Sequence, residues 1–315
     1  MQRVIISLML ALLTTGCAGP LAPRDGAVPS RAGGVRVTPG SIGSSTGCRL
    51  DTLVYRADRA AGGDLVVLAH GFLRSQEHMQ ELAFSIAGSG VRVATLDFCN
   101  PSVLAGRHVQ NARDMVEVAR TLGARRVVYV GFSAGGLAAL IAGRIDPRAV
   151  GVLTLDLVDS QGLGTLAAPG LDKPLLGLAG APSNCNALGN GWAVFAAAPR
   201  ARLERIANAS HCDFEAPTDN LCKLVCQAAD HAAAMPRRQI IASATRAVHA
   251  LLHGDITAWP GAASPRQSLS VTKPSSWAPP NPLCCLATAK FAEAVRHDHP
   301  KPQRPNPADP RRRRS

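Results

Sequence analysis

The sequence predicts an α/β fold: a mainly parallel, doubly wound sheet forming a single domain between termini without regular structure. Three observations carry that expectation. Strand-like runs alternate with amphipathic helical stretches between about residues 48 and 262, the order of a parallel sheet covered by helices on both faces. The run Asp64-Leu-Val-Val-Leu-Ala69 is almost wholly apolar, as a strand buried on both faces is. The β-branched run Val127–Val130 passes through Gly131-Phe132-Ser133-Ala134-Gly135 directly into an alanine-rich helical pattern. With 315 residues and 46% hydrophobic content, the chain can bury a sizeable core.

Leu50 to Arg56 alternate as a strand does, and Asp64–Ala69 form the buried strand just described. Glu77 to Ala87 fit an amphipathic helix, and Val91 to Leu96 a strand ending at Asp97. His108 to Leu122 place Val109, Ala112, Met115, Val116 and Ala119 on one helical face. The strand before Ser133 and a helix running to about Ile145 come next. Val150–Leu157, Lys173–Ala179 and Arg202–Ala207 read as further strands. Gln239–His253 closes the domain as a helix with Ile240, Ile241, Ala244, Val248 and Leu251 on one face. No internal repeat divides residues 48–262. Residues 18–47, rich in Gly, Pro and Ser, read as a flexible linker.

Residues 1–17 read as a targeting segment. Arg3 precedes an apolar run from Val4 to Leu13, too short for a permanent membrane span. Thr14-Thr15-Gly16-Cys17 resembles the lipobox of bacterial lipoproteins, with Thr14 where that pattern usually carries leucine. The resemblance implies lipidation at Cys17 and a membrane-anchored protein facing the periplasm or cell exterior. Secretory cleavage after Ala18, giving a secreted soluble protein, is the alternative; both routes export the chain. Export gives meaning to the other eight cysteines, which in an oxidising compartment read as disulfides. Cys222 and Cys226 lie one helical turn apart, so each pairs elsewhere rather than with the other. No Cys/His spacing marks a metal site. Residues 263–315 read as a disordered Pro/Arg-rich tail. From residue 265 onward it carries ten Lys/Arg against three Asp/Glu, a large share of the net charge of +12. No nucleic-acid-binding module accompanies this charge, so nucleic acid is not an expected partner.

Gly-x-Ser-x-Gly alone is a weak signal, expected by chance roughly 0.2 times in a chain of this composition. Its context strengthens it. Strand before, helix after and small residues around the serine are what so tight a turn demands, and Gly131 and Gly135 leave room where a Cβ would collide. Ser133 is therefore the candidate nucleophile. A serine hydroxyl near neutral pH needs a general base, an acid to orient that base, and donors for a developing oxyanion. His211, in a loop after the last strand, is the candidate base; His70, His78, His108, His231, His249 and His253 compete. The acid is expected between serine and histidine in the chain. No carboxylate follows the strand at 173–179, so the role moves back one strand to Asp156, with Asp159 as the alternative and Asp172 a further option. The backbone N–H groups of Phe72, after the strand-ending His70-Gly71, and of Ala134, at the helix start, are candidate oxyanion donors. Leu73 and Phe132, with Phe72, are candidates for an apolar substrate pocket. No insertion has the length of a large lid, so a fairly open site is expected.

Ala-His-Gly-Phe, Gly-Phe-Ser-Ala-Gly-Gly, Leu-Asp-Leu-Val-Asp and Ser-His-Cys-Asp-Phe-Glu, in that order, resemble the α/β-hydrolase superfamily over about residues 50–262. Within it the chain is most similar to the branch of chlorophyllases, platelet-activating-factor acetylhydrolases and related bacterial esterases, where the acid also follows the strand after the nucleophile helix. Asp156-Leu157-Val158 matches that branch's Asp-Pro-Val-like context with leucine replacing proline. The resemblance implies an α/β-hydrolase fold and a serine hydrolase cleaving carboxylic esters, small or lipid-like, through Ser133, His211 and Asp156. Such chemistry requires no cofactor. A peptidase with the same triad, or a non-catalytic exported lipoprotein binding lipid or a partner on the same scaffold, are the alternatives.

Overall fold

Side chains along residues 126–132 alternate between two hydrophobic layers: Val127 and Tyr129 pack into one, Val128, Val130 and Phe132 into the other. A sheet buried on both faces follows from that alternation. The computed structural model describes residues 30–60, 62–99, 106–226, 234–257, 259 and 262–263. Ten strands among them form one sheet: β1 (Ser30–Ala32), β2 (Val35–Gly43), β3 (Arg49–Ala57), β4 (Asp64–Ala69), β5 (Arg92–Leu96), β6 (Arg126–Phe132), β7 (Ala149–Leu155), β8 (Leu175–Ala179), β9 (Ala201–Arg205) and β10 (Ala262–Ala263). Their spatial order is β1-β2-β3-β5-β4-β6-β7-β8-β9-β10. From β5 through β9 the six neighbours run parallel. The edges, β1 to β3 on one side and β10 on the other, are antiparallel.

The described helices are α1 (Gln80–Gly88), α2 (His108–Thr121), α3 (Ala134–Ile145), α4 (Leu163–Ala167), α5 (Trp192–Ala197), α6 (Asn220–Cys226) and α7 (Ala234–His253). Val109, Ala112 and Met115 of α2, Leu137 and Ile141 of α3 and Phe195 of α5 pack on one face of the sheet. Leu82 and Ile86 of α1 and Ile240, Ala244, Val248 and Leu251 of α7 pack on the other. Burying each large apolar side chain is worth about 1.5–3 kcal/mol, so these two layers hold the frame on which the loops ride.

The expected α/β architecture is the observed one, and the strand positions agree within two residues. The linker expected over 18–47 is corrected from residue 30 onward. Val35, Val37 and Ile42 are buried inward-facing residues of β2, which pairs with β3 along its whole length. Gly33 and Gly34, both at positive φ, make the turn into it from β1. Pro39 obscured the pattern; it lies beyond the residues that β1 pairs, where a missing N–H costs no ladder bond. The expected helix at 77–87 is a 3-10 turn (Gln76–Met79) followed by α1, and the last helix starts five residues early, with Pro236 in its first turn.

Three disulfides are present among the described residues: Cys48–Cys99, Cys185–Cys226 and Cys212–Cys222. Cys222 and Cys226 thus pair elsewhere, not with each other. No helix among the described residues is long and apolar enough to cross a membrane. Cys17, His231, Cys284, Cys285, the targeting segment and the basic tail beyond residue 263 lie outside the described residues.

Candidate active site

Four segments leave the carboxyl ends of parallel strands and meet above the sheet: the loop after β4, Ser133 after β6, Asp156 after β7, and the turn His211–Phe214 after β9. In open parallel sheets this edge is where ligand sites form. Ser133 has φ 54° and ψ −120°, a conformation that costs a non-glycine residue about 1–3 kcal/mol. Its neighbours make that conformation possible. A Cβ on Gly131 would run into the carbonyl of Gly135, and one on Gly135 into the carbonyl of His70. The two glycines are what allow strand, turn and helix to close so tightly.

His211 is set by a reciprocal cap. The Ser210 N–H and hydroxyl both donate to Asp213 Oδ2, at 2.7 Å each, and fix the turn that begins at His211. The imidazole lies against Phe132, ring centroids 4.7 Å apart. His211 Nδ1 is 2.7 Å from Asp156 Oδ2, and Nε2 is 3.1 Å from Ser133 Oγ. With Nδ1–H donating to the carboxylate, the Nε2 lone pair faces the serine hydroxyl, the tautomer a general base needs. Ser133, His211 and Asp156 are all buried, so these bonds act largely out of water, where they are stronger.

Asp156 has φ 45° and is held by more than the imidazole. Its Oδ1 accepts from the Gly180 N–H at 3.0 Å, and Asn186 Nδ2 donates to Oδ2 at 3.1 Å. Asn186 is wholly buried; its Oδ1 accepts from the N–H groups of Ser183 and Gly189, and its Nδ2 also donates to the Ala181 carbonyl. It is a positioning residue for the carboxylate, and the sequence reading missed it. Ser183-x-x-Asn186 signals a capped turn, but nothing in it points to a carboxylate thirty positions upstream.

The alternatives sit elsewhere. Asp159 caps the start of α4, its Oδ1 accepting from the Gly164 N–H at 2.6 Å and its Oδ2 from the Thr165 N–H and hydroxyl. Asp172 is exposed and paired with Lys173. His70 donates through Nδ1 to the Gly71 carbonyl and accepts at Nε2 from the Phe98 N–H, which makes it a strut of its loop. Burial pushes its pKa below the ordinary histidine value, outweighing the Gly71 bond. His78 lies beside Arg74 and Asp219, His108 is buried in α2, and His249 of α7 bonds Ser89 and stacks with His253.

Phe72 and Ala134 flank the serine. A Cβ on Gly71 would press on the Phe132 ring at 2.9 Å and on Ser133 Cβ at 3.2 Å, so the loop carrying Phe72 lies directly on the nucleophile turn. Among the described residues neither the Phe72 nor the Ala134 N–H has a hydrogen-bond partner, and Ala134 opens α3, whose N-terminal end favours negative charge.

Two further features escaped the sequence. Arg74, two residues past Phe72, forms a bidentate pair with Glu215, four past His211: Nε and Nη2 lie 2.7 Å from its two carboxylate oxygens. Glu215 is wholly buried. Burial opposes the Arg74 charge, but the bonds to Glu215 and Asp219 outweigh it and raise the guanidinium pKa. The pair ties the Phe72 loop to the histidine loop. The second feature is α6, which walls a cleft of about 230 Å³ at whose base Ser133 and His211 lie. Phe72, Leu73 and Phe132 line the cleft as expected, joined by Leu221 and Val225 of α6. The site expected to be fairly open is thus lined in part by a short helix no longer than two turns.

The arrangement gives a hydroxyl with a proton acceptor, an oriented imidazole and two N–H groups beside it. It can attack an electrophilic carbonyl carbon. The sulfurs of Cys212, Cys222 and Cys226 lie close together, but each is consumed in a disulfide and offers no thiolate to a metal.

No family model and no curated protein matches the chain. Among solved structures, that of DcsB in complex with its substrate analogue is similar at 11% identity and a TM-score of 0.51, covering 64% of this chain and 99% of that one. A structure from Klebsiella pneumoniae described as a dienelactone hydrolase is similar at 18% identity and a TM-score of 0.48, covering 61% and 95%. A membrane phospholipase A described as a bacterial virulence factor stands at 13% identity and 0.48, covering 70% and 86%. Identities this low speak to fold alone, and the strand order and serine turn agree with it: the chain has the α/β-hydrolase fold.

Proposed function

We propose that the protein is a serine hydrolase of carboxylic esters. The observation that carries the reading is the unbroken relay of Ser133 Oγ, His211 Nε2 at 3.1 Å, and His211 Nδ1 to Asp156 Oδ2 at 2.7 Å. His211 takes the Ser133 proton as Oγ attacks the ester carbonyl. The Phe72 and Ala134 N–H groups receive the oxyanion. The imidazolium, stabilised by Asp156, protonates the departing alcohol, and water repeats both steps on the acyl-enzyme. The acid's place after β7 supports the chlorophyllase and platelet-activating-factor acetylhydrolase-like branch that the motifs resemble. The three disulfides support an exported protein, and the lipobox-like Thr14-Thr15-Gly16-Cys17 supports an anchor at Cys17.

Paired substrates test the reading. Steady-state assays are expected to show turnover of 4-nitrophenyl acetate and butyrate, with the matched aminoacyl 4-nitroanilides at least about a hundredfold slower, because the amine is the poorer leaving group. Faster release from the anilides makes the protein a peptidase. Release from neither, and none from 4-nitrophenyl hexanoate or octanoate, makes it a non-catalytic lipid- or partner-binding scaffold.

A further inference from the structure

Helix α6 has seven residues, about half the length at which an isolated helix persists in water. Burial does not hold it either. Cys222 is its one buried side chain, while Leu221, Leu224 and Val225 are 56%, 74% and 65% exposed. Two disulfides hold it instead. Cys222 is bonded to Cys212, next to His211, and Cys226 to Cys185, next to Asn186. The helix is therefore stapled to the two loops that carry the imidazole and support the carboxylate.

What this stapling achieves is a wall. Leu221 and Val225, four apart and so on one helical face, line the same cleft as Ser133 and His211; Leu224 does not. Phe72 and Leu73, both exposed, and the buried Phe132 complete the apolar lining. Apolar side chains left exposed around a pocket mouth mark a ligand's contact surface. Among the described residues the one cation on the lining, Arg74, is already paired with Glu215 and Asp219, so none of them selects a charged chain. An apolar cavity of about 150 Å³ takes benzene, so by proportion the 230 Å³ cleft takes roughly eight or nine non-hydrogen atoms.

Resting on the ester-hydrolase reading, we infer that α6 is the wall of an acyl pocket, that the substrate is an ester of an uncharged apolar acid of roughly six to eight carbons, and that Leu221 and Val225 set this preference. The test is kcat/KM across 4-nitrophenyl acetate, butyrate, hexanoate, octanoate and dodecanoate, on the purified disulfide-bonded protein. The wild type is expected to gain up to about fourfold per methylene as far as hexanoate or octanoate and then level off. Leu221→Ser/Val225→Ser lowers the octanoate-to-acetate ratio about tenfold or more. Leu224→Ser, an equal loss of apolar surface on the same helix, leaves that ratio unchanged. All three side chains are largely exposed, so the variants fold. A flat or falling wild-type series, or a double variant that keeps the wild-type ratio while still cleaving acetate, overturns the inference and spares the ester reading. No turnover of any ester overturns the reading beneath it, and the inference with it.

Discussion

Asp156→Asn is expected to lower kcat on 4-nitrophenyl acetate by about 10⁴-fold, and Asp159→Asn by less than about tenfold. The carboxylate of Asp156 is the acceptor for His211 Nδ1–H. An amide there turns a donor toward Nδ1, favours the wrong tautomer and leaves the forming imidazolium unpaired. Asp159 acts on structure: its oxygens receive the Gly164 and Thr165 N–H groups, and asparagine keeps one of these two acceptors, away from the relay. The two aspartates are three positions apart in sequence, yet one serves the imidazole and the other a helix start. Steady-state kinetics on both variants decides between them. The reverse ranking would move the acid to Asp159 and remove Asp156 from the relay.

Glu215→Ala is expected to cost about 3 kcal/mol of stability, and Arg74→Met/Glu215→Leu to recover most of it. A buried ion pair adds little when replaced whole by apolar side chains of similar size, whereas removing one partner strands a charge at a cost of about 3–5 kcal/mol. The lower figure applies because Asp219, 3.0 Å from Arg74 Nη2, keeps part of the pairing. In a domain of this size about 3 kcal/mol corresponds to a fall of roughly 6–12 °C in the thermal midpoint. Calorimetry of both variants checks the ranking. A Glu215→Ala midpoint equal to wild type would show that the pair does not hold the Phe72 loop to the histidine loop.

The parallel core was legible because each strand advertised itself twice, by apolar run and by alternation with a helix. Ser133 was legible because its turn restricts the local sequence so severely, and Asp156 and His211 because strand order dictates where partners of such a serine stand. What stayed hidden depends on distance in the chain. Asn186 meets Asp156 across thirty residues, Arg74 meets Glu215 across 141, and neither residue type signals its partner. The β1–β2 hairpin was concealed by Gly33, Gly34 and Pro39, which raised the turn-forming content of a stretch whose Val35, Val37 and Ile42 pointed inward all along. For α6 the reading of Cys222 and Cys226 as pairing elsewhere was available, but not the partners that bring the helix over the cleft.

The central claim is that Ser133 is a nucleophile activated by His211. Reaction with a fluorophosphonate probe, followed by intact-mass analysis and peptide mapping, tests it most directly. The account predicts one adduct per chain, on Ser133, abolished in Ser133→Ala and lost or greatly slowed in His211→Ala. An adduct that persists in Ser133→Ala, or wild-type protein that stays unlabelled while folded and disulfide-bonded, would contradict it.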